Sequence, residues 1–107
     1  MPAWRIDLPP HVAEVVRHLP PEVKRVVKGA LRAVAAHPAT GEPLRGNLEG
    51  LWKFRVRRFR VVYALDRRAR VVQVLAVGHR RGIYEAVGDL VRRRPGSAGA
   101  GNLPDGA

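Results

Sequence analysis

Between residues 10 and 37 the apolar side chains recur every third or fourth position; from residue 51 onward they recur every second one. No other feature constrains the fold as strongly. A repeat near 3.6 lays an apolar stripe along a helix, whereas a repeat of two lays an apolar face along a strand. The chain therefore reads as helices followed by a sheet, each with one side to bury against the other. Val12, Val15, Val16 and Leu19 form the stripe of a first helix over Pro10–Leu19. Val23, Val26, Val27, Ala30, Leu31 and Val34 form the stripe of a second over Pro21–His37. Pro9, Pro10, Pro20, Pro21 and Pro38 set their ends, because proline fits a first turn and ends a preceding helix. Two stripes joined by a proline turn predict an antiparallel helix hairpin.

Before the hairpin, Trp4–Leu8 alternates as a short strand. Residues 38–50, rich in Gly and Pro, read as loop. Trp52, Phe54 and Val56 then alternate with Lys53, Arg55 and Arg57, and Phe59, Val61, Tyr63 and Leu65 continue the pattern after a tight turn at 57–58. Val71–Val77 is apolar almost throughout, which predicts a central strand covered on both faces. A short helix to about Arg94 follows Gly78. The expected fold class is α+β: an N-terminal strand and a two-helix hairpin on a small antiparallel sheet, with a short C-terminal helix. The expected domain is 1–94, with 95–107 a flexible tail rich in Gly, Ala and Pro.

Charge narrows the class of function. Of 107 residues, 20 are Lys or Arg and 9 are Asp or Glu, a net +11. Residues 51–87 hold ten of the basic groups and two of the acidic ones, so the excess is local. Such a segment attracts polyanions and neutralises phosphates. Cysteine is absent, which rules out disulfides and thiolate metal sites. The four histidines stand at no metal-ligand spacing, so neither a metal nor another cofactor is expected. No apolar run is long enough for a membrane span or a signal peptide, and a cytoplasmic location is expected.

Lys53, Arg55 and Arg57 share one face of their strand in this reading, and Arg60 joins them from the neighbouring strand. Gly78 delivers His79, Arg80 and Tyr84 to the edge of that surface. Phosphodiester cleavage in RNA needs cations on the phosphate, a base for the 2′-hydroxyl and an acid for the leaving oxygen. Tyr84 could also stack on a base. The same residues have plainer readings: a solvated sheet face, a surface histidine at 79 and a core tyrosine at 84.

The segments LPPEVKRVVKGAL, LRGNLEGLWKFRVRRFRVVYALD and VLAVGHRRGIYEAV resemble those of the RelE/ParE superfamily of toxins from toxin–antitoxin pairs. The resemblance runs from residue 4 to about 88. It implies the fold above, a cognate antitoxin as partner, and a metal-independent endoribonuclease that cuts mRNA on the ribosome. By that resemblance Lys53, Arg55, Arg60, Arg80 and Tyr84 stand at the catalytic positions, with His79 as a further proton-transfer candidate. Arg57, Arg58 and Arg81 are expected to bind RNA. The sequence departs from the family at Arg55, where the best-known cleaving members have Lys. An arginine binds phosphate but is a poor base. Phe59 replaces a tyrosine, and Arg58 replaces a small residue. A ParE-like gyrase inhibitor and a non-catalytic antitoxin-binding homologue remain the alternatives.

Overall fold

A computed structural model describes residues 4–93. The expected tail at 95–107 lies outside them. Strand β1 (Arg5–Asp7) leads into helices α1 (Pro10–Arg17) and α2 (Pro21–Ala36). Strand β2 (Glu42–Pro43), the long strands β3 (Leu51–Val56), β4 (Phe59–Asp66) and β5 (Val71–His79), and helix α3 (Ile83–Arg93) follow. The sheet order is β1-β5-β4-β3-β2. β2 to β5 pair antiparallel; β1 pairs parallel with β5, which makes the sheet mixed. The architecture is α+β, with two helices on one face and a short C-terminal helix on the other.

The alternation read from the sequence sets the two faces. Trp52, Phe54, Val56, Phe59, Val61, Tyr63, Val72, Val74 and Val77 meet Val12, Val16, Val27, Leu31 and Val34 of the helix hairpin in one cluster. Val27, Val62, Tyr63, Val72 and Val74 are fully buried; burying a side chain of this kind stabilises by roughly 1.5–3 kcal/mol. The other face is thinner. There Val62 and Ala76 meet Ile83 and Val87 of α3, with Leu44, Leu48, Leu51 and Tyr84 at the margin. Gly78 makes room for the helix: a Cβ at that position would stand 3.0 Å from Ile83 Cδ1.

A bulge interrupts β5. Val62 pairs with Ala76 but Tyr63 pairs with Val74, which leaves Leu75 without a partner. The Leu75 carbonyl accepts a hydrogen bond from His11 Nε2 of α1 at 3.2 Å. One extra residue reverses the facing of every side chain beyond it. Val77 and His79 therefore turn to the helix-hairpin face, and Ala76 and Gly78 to the α3 face.

Candidate RNA-cleaving face

Lys53, Arg55 and Arg60 emerge on the α3 side of the sheet, as the alternation predicts. Arg55 and Arg60 are direct cross-strand partners, and Lys53 is paired with Val62. Like charges placed opposite each other destabilise a sheet unless something offsets them. Two features do so. The Arg60 guanidinium folds back and donates to the carbonyls of Arg57 (2.9 Å) and Phe59 (2.8 Å). Glu42, on β2, brings its carboxylate within 3.6 Å of Lys53 Nζ and 3.8 Å of Arg55 Nη2.

Glu42 is held there by a buried tyrosine. Tyr63 donates its hydroxyl proton to the Pro38 carbonyl (2.9 Å) and accepts from the Gly41 N–H (3.2 Å). Its ring stacks on Trp52. Burial pushes the Tyr63 phenol above its usual pKa, and the Gly41 hydrogen bond pulls it back in part. A Cβ at Gly41 would collide with the Tyr63 hydroxyl and lie 2.5 Å from the Lys53 carbonyl. Glycine is thus required by close approach. The result is a shallow groove lined by Thr40, Gly41, Glu42, Lys53, Phe54 and Arg55.

Tyr84 closes the other side of Lys53, with Nζ 5.8 Å from the centre of its ring. That distance allows a cation–π attraction. The Tyr84 hydroxyl is buried and has no hydrogen-bond partner. Tyr84 is thus both a packing residue of the α3 cluster and a neighbour of the cationic row.

Arg80 is exposed beside the β3–β4 turn, where its backbone N–H donates to the Arg58 carbonyl at 2.6 Å. Arg58 and Arg81 are also exposed at this end of the sheet. Two residues stand elsewhere. His79 pairs with Phe59 on the helix-hairpin face and packs edge-on against that ring. Its Nδ1 accepts from the Arg81 N–H. The β5 bulge is the cause. Arg57 occupies the turn with a left-handed φ of 57° and reaches Glu22 of α2 at 3.7 Å, so it leaves the row of Lys53 and Arg55. Sequence reasoning missed Glu42. The register of a two-residue strand opposite Lys53 was the signal needed, and periodicity does not provide it.

The model for the ParE toxin of type II toxin–antitoxin systems, parDE, matches residues 10–84. The fold is also that of solved RelE structures. The isolated Escherichia coli RelE toxin is 29% identical with a TM-score of 0.66, covering 82% of this chain and 99% of that one. A variant of the same toxin in the free state gives a TM-score of 0.70 at 24% identity, over 86% and 99% of the two chains. The toxin–antitoxin complex RelBE2 of Mycobacterium tuberculosis matches at 27% identity and a TM-score of 0.65, over 74% and 93%. No curated protein sequence matches the chain. Fold and family model together define a toxin of the type II toxin–antitoxin class. Within that class the chain belongs to the RelE/ParE family, with a RelE-like structure.

Proposed function

We propose that this toxin cleaves messenger RNA on the ribosome, by attack of a 2′-hydroxyl on the adjacent phosphorus. The observation that carries the reading is the grouping of Glu42, Lys53 and Arg55 in one groove, with Arg60 their cross-strand neighbour. In the reaction the 2′-oxygen bonds to phosphorus and the 5′-oxygen leaves, giving a cyclic phosphate and a free 5′-hydroxyl. Arg55 and Arg80 hold the phosphate and offset the charge that develops on its oxygens. Arg60 adds to this field once its guanidinium releases the turn carbonyls. The Glu42 carboxylate takes the 2′-hydroxyl proton, and the Lys53 ammonium supplies one to the leaving oxygen. This division of roles relieves Arg55 of the task for which arginine is unsuited. Tyr84 keeps Lys53 against the sheet and offers a ring edge to a base. Arg58 and Arg81 add phosphate contacts at the rim.

The partner of such a surface is a cognate antitoxin, as in the RelBE2 complex. An acidic segment would satisfy the cations that Glu42 leaves uncovered.

A second reading has its own support. The matching family model is described as the parDE toxin, and a ParE-like protein would act by inhibiting DNA gyrase. Purified protein added to ribosomes programmed with mRNA, and separately to a gyrase supercoiling assay, separates the two. Cuts within the ribosome-bound message, with supercoiling untouched, are expected. Loss of supercoiling with intact message would replace the first reading with the second.

A further inference from the structure

The cationic groove is not the only basic surface. Lys24, Arg25, Lys28 and Arg32 lie along α2, on the opposite side of the sheet from Lys53 and Arg55. Arg25, Lys28 and Arg32 are exposed and spaced three and four residues apart, which puts them on one side of the helix over roughly 10 Å. The two acidic residues of the helix hairpin are engaged elsewhere: Glu14 with Arg17 and His18, Glu22 with Arg57. Among the described residues no ion pair involves any of the four α2 cations.

Gly29 lies in the middle of this stripe, four residues after Arg25 and three before Arg32. Its φ is not left-handed, and a Cβ there would meet nothing closer than the Arg32 guanidinium at 3.9 Å. Alanine would fit, and mid-helix glycine costs about 1 kcal/mol relative to it. The helix therefore carries an unforced bare stretch of backbone framed by cations, continued by the small exposed residues Ala33 and Ala36.

We propose that the outward face of α2 is a second RNA-contacting surface, one that holds the phosphate backbone of double-stranded RNA without reading its sequence. The chemistry of the face selects this partner. Arginine anchors a protein interface where it is desolvated among aromatic or apolar neighbours; Arg25 and Arg32 have none beside them, since the exposed large apolar residues among the described ones, Val15 and Val91, are not on α2. Single-stranded RNA is held by aromatic stacking, and α2 has no aromatic residue. Base reading uses Asn or Gln as well as Arg, and α2 has neither amide. Closely spaced cations over a smooth surface suit a duplex backbone. The choice of RNA over other polyanions rests on the function proposed above; the surface itself does not depend on cleavage.

Binding of the full-length chain to an RNA duplex of about 16 base pairs, followed by fluorescence anisotropy over a salt series, tests this. The triple variant Arg25→Glu, Lys28→Glu, Arg32→Glu should lose at least about tenfold in affinity and about 2 to 3 units of the log–log salt slope. A charge-matched control in the β4–β5 turn, off the α2 face, Arg67→Glu, Arg68→Glu, Arg70→Glu, should lose far less. Gly29→Leu should weaken binding several-fold while raising thermal stability, a combination that a purely structural role does not give. Equal losses in the two triple variants would mean a response to net charge and would overturn the proposal, as would unchanged binding in the α2 variant. Cleavage of ribosome-bound message is scored in parallel. A chain that cuts no message yet shows the α2-specific loss defeats the cleavage reading alone. A chain that cuts message with α2-independent duplex binding defeats this one alone.

Discussion

The two faces of the sheet are built to different standards. Under the helix hairpin, valines from β3, β4 and β5 interlock with those of α1 and α2, and the cluster is closed. Under α3, four buried residues with Leu44, Leu48, Leu51 and Tyr84 at their margin share the face with Lys53, Arg55 and Arg60. The first face carries the stability that lets the second hold like charges side by side. A chain of this size has little stability to spare, so a cationic row is tolerable only where the opposite face is well packed.

Equivalent cavities on the two faces should expose this difference most plainly. Val74→Ala, in the hairpin cluster, should lower the unfolding free energy by roughly 2–3 kcal/mol in urea titrations. Val87→Ala, in the α3 cluster, should cost less, about 1–2 kcal/mol, and should speed hydrogen exchange in α3 more than in β4. Equal global losses would show that the α3 face is as integral as the other.

Gly41→Ala joins the faces, since it strikes Tyr63 on the hairpin side and moves Glu42 on the other. It should cost about 1–3 kcal/mol and also lower cleavage, whereas a purely structural defect would be relieved by cooling.

Tyr63→Phe gives a smaller effect with a pH signature. It removes the donor to Pro38 and the acceptor for Gly41, for a loss of about 1–2 kcal/mol near neutrality. Because burial raises the Tyr63 pKa in the folded state, its contribution is fully present below the unfolded value of about 10. It is lost as the pH rises through the folded value. Wild type should therefore lose stability above about pH 10 more steeply than the variant, as read by urea unfolding at a series of pH values.

The sequence was most informative where periodicity was long. The helix stripes and the β3 and β4 alternation identified both helices, the hairpin face and the emergence of Lys53, Arg55 and Arg60 opposite it. It was silent where single residues decide. Val71–Val77 is apolar at nearly every position, so nothing in it marks the bulge at Leu75; His79, expected at the edge of the cationic surface, stands instead beside Phe59 on the hairpin face for that reason. Arg57 leaves the row because the hairpin turn needs a left-handed residue there. Glu42 belongs to a strand of two residues whose existence depends on pairing with Trp52 and Lys53, a tertiary fact with no local pattern.

If the cationic face opposite the helix hairpin cuts message, primer extension on cellular transcripts after induced expression reads the cuts. Wild type should produce cuts inside translated codons, and these should disappear in Lys53→Ala and in Arg80→Ala while both variants remain folded. Cuts that persist undiminished in both folded variants would mean that this face does not cut message.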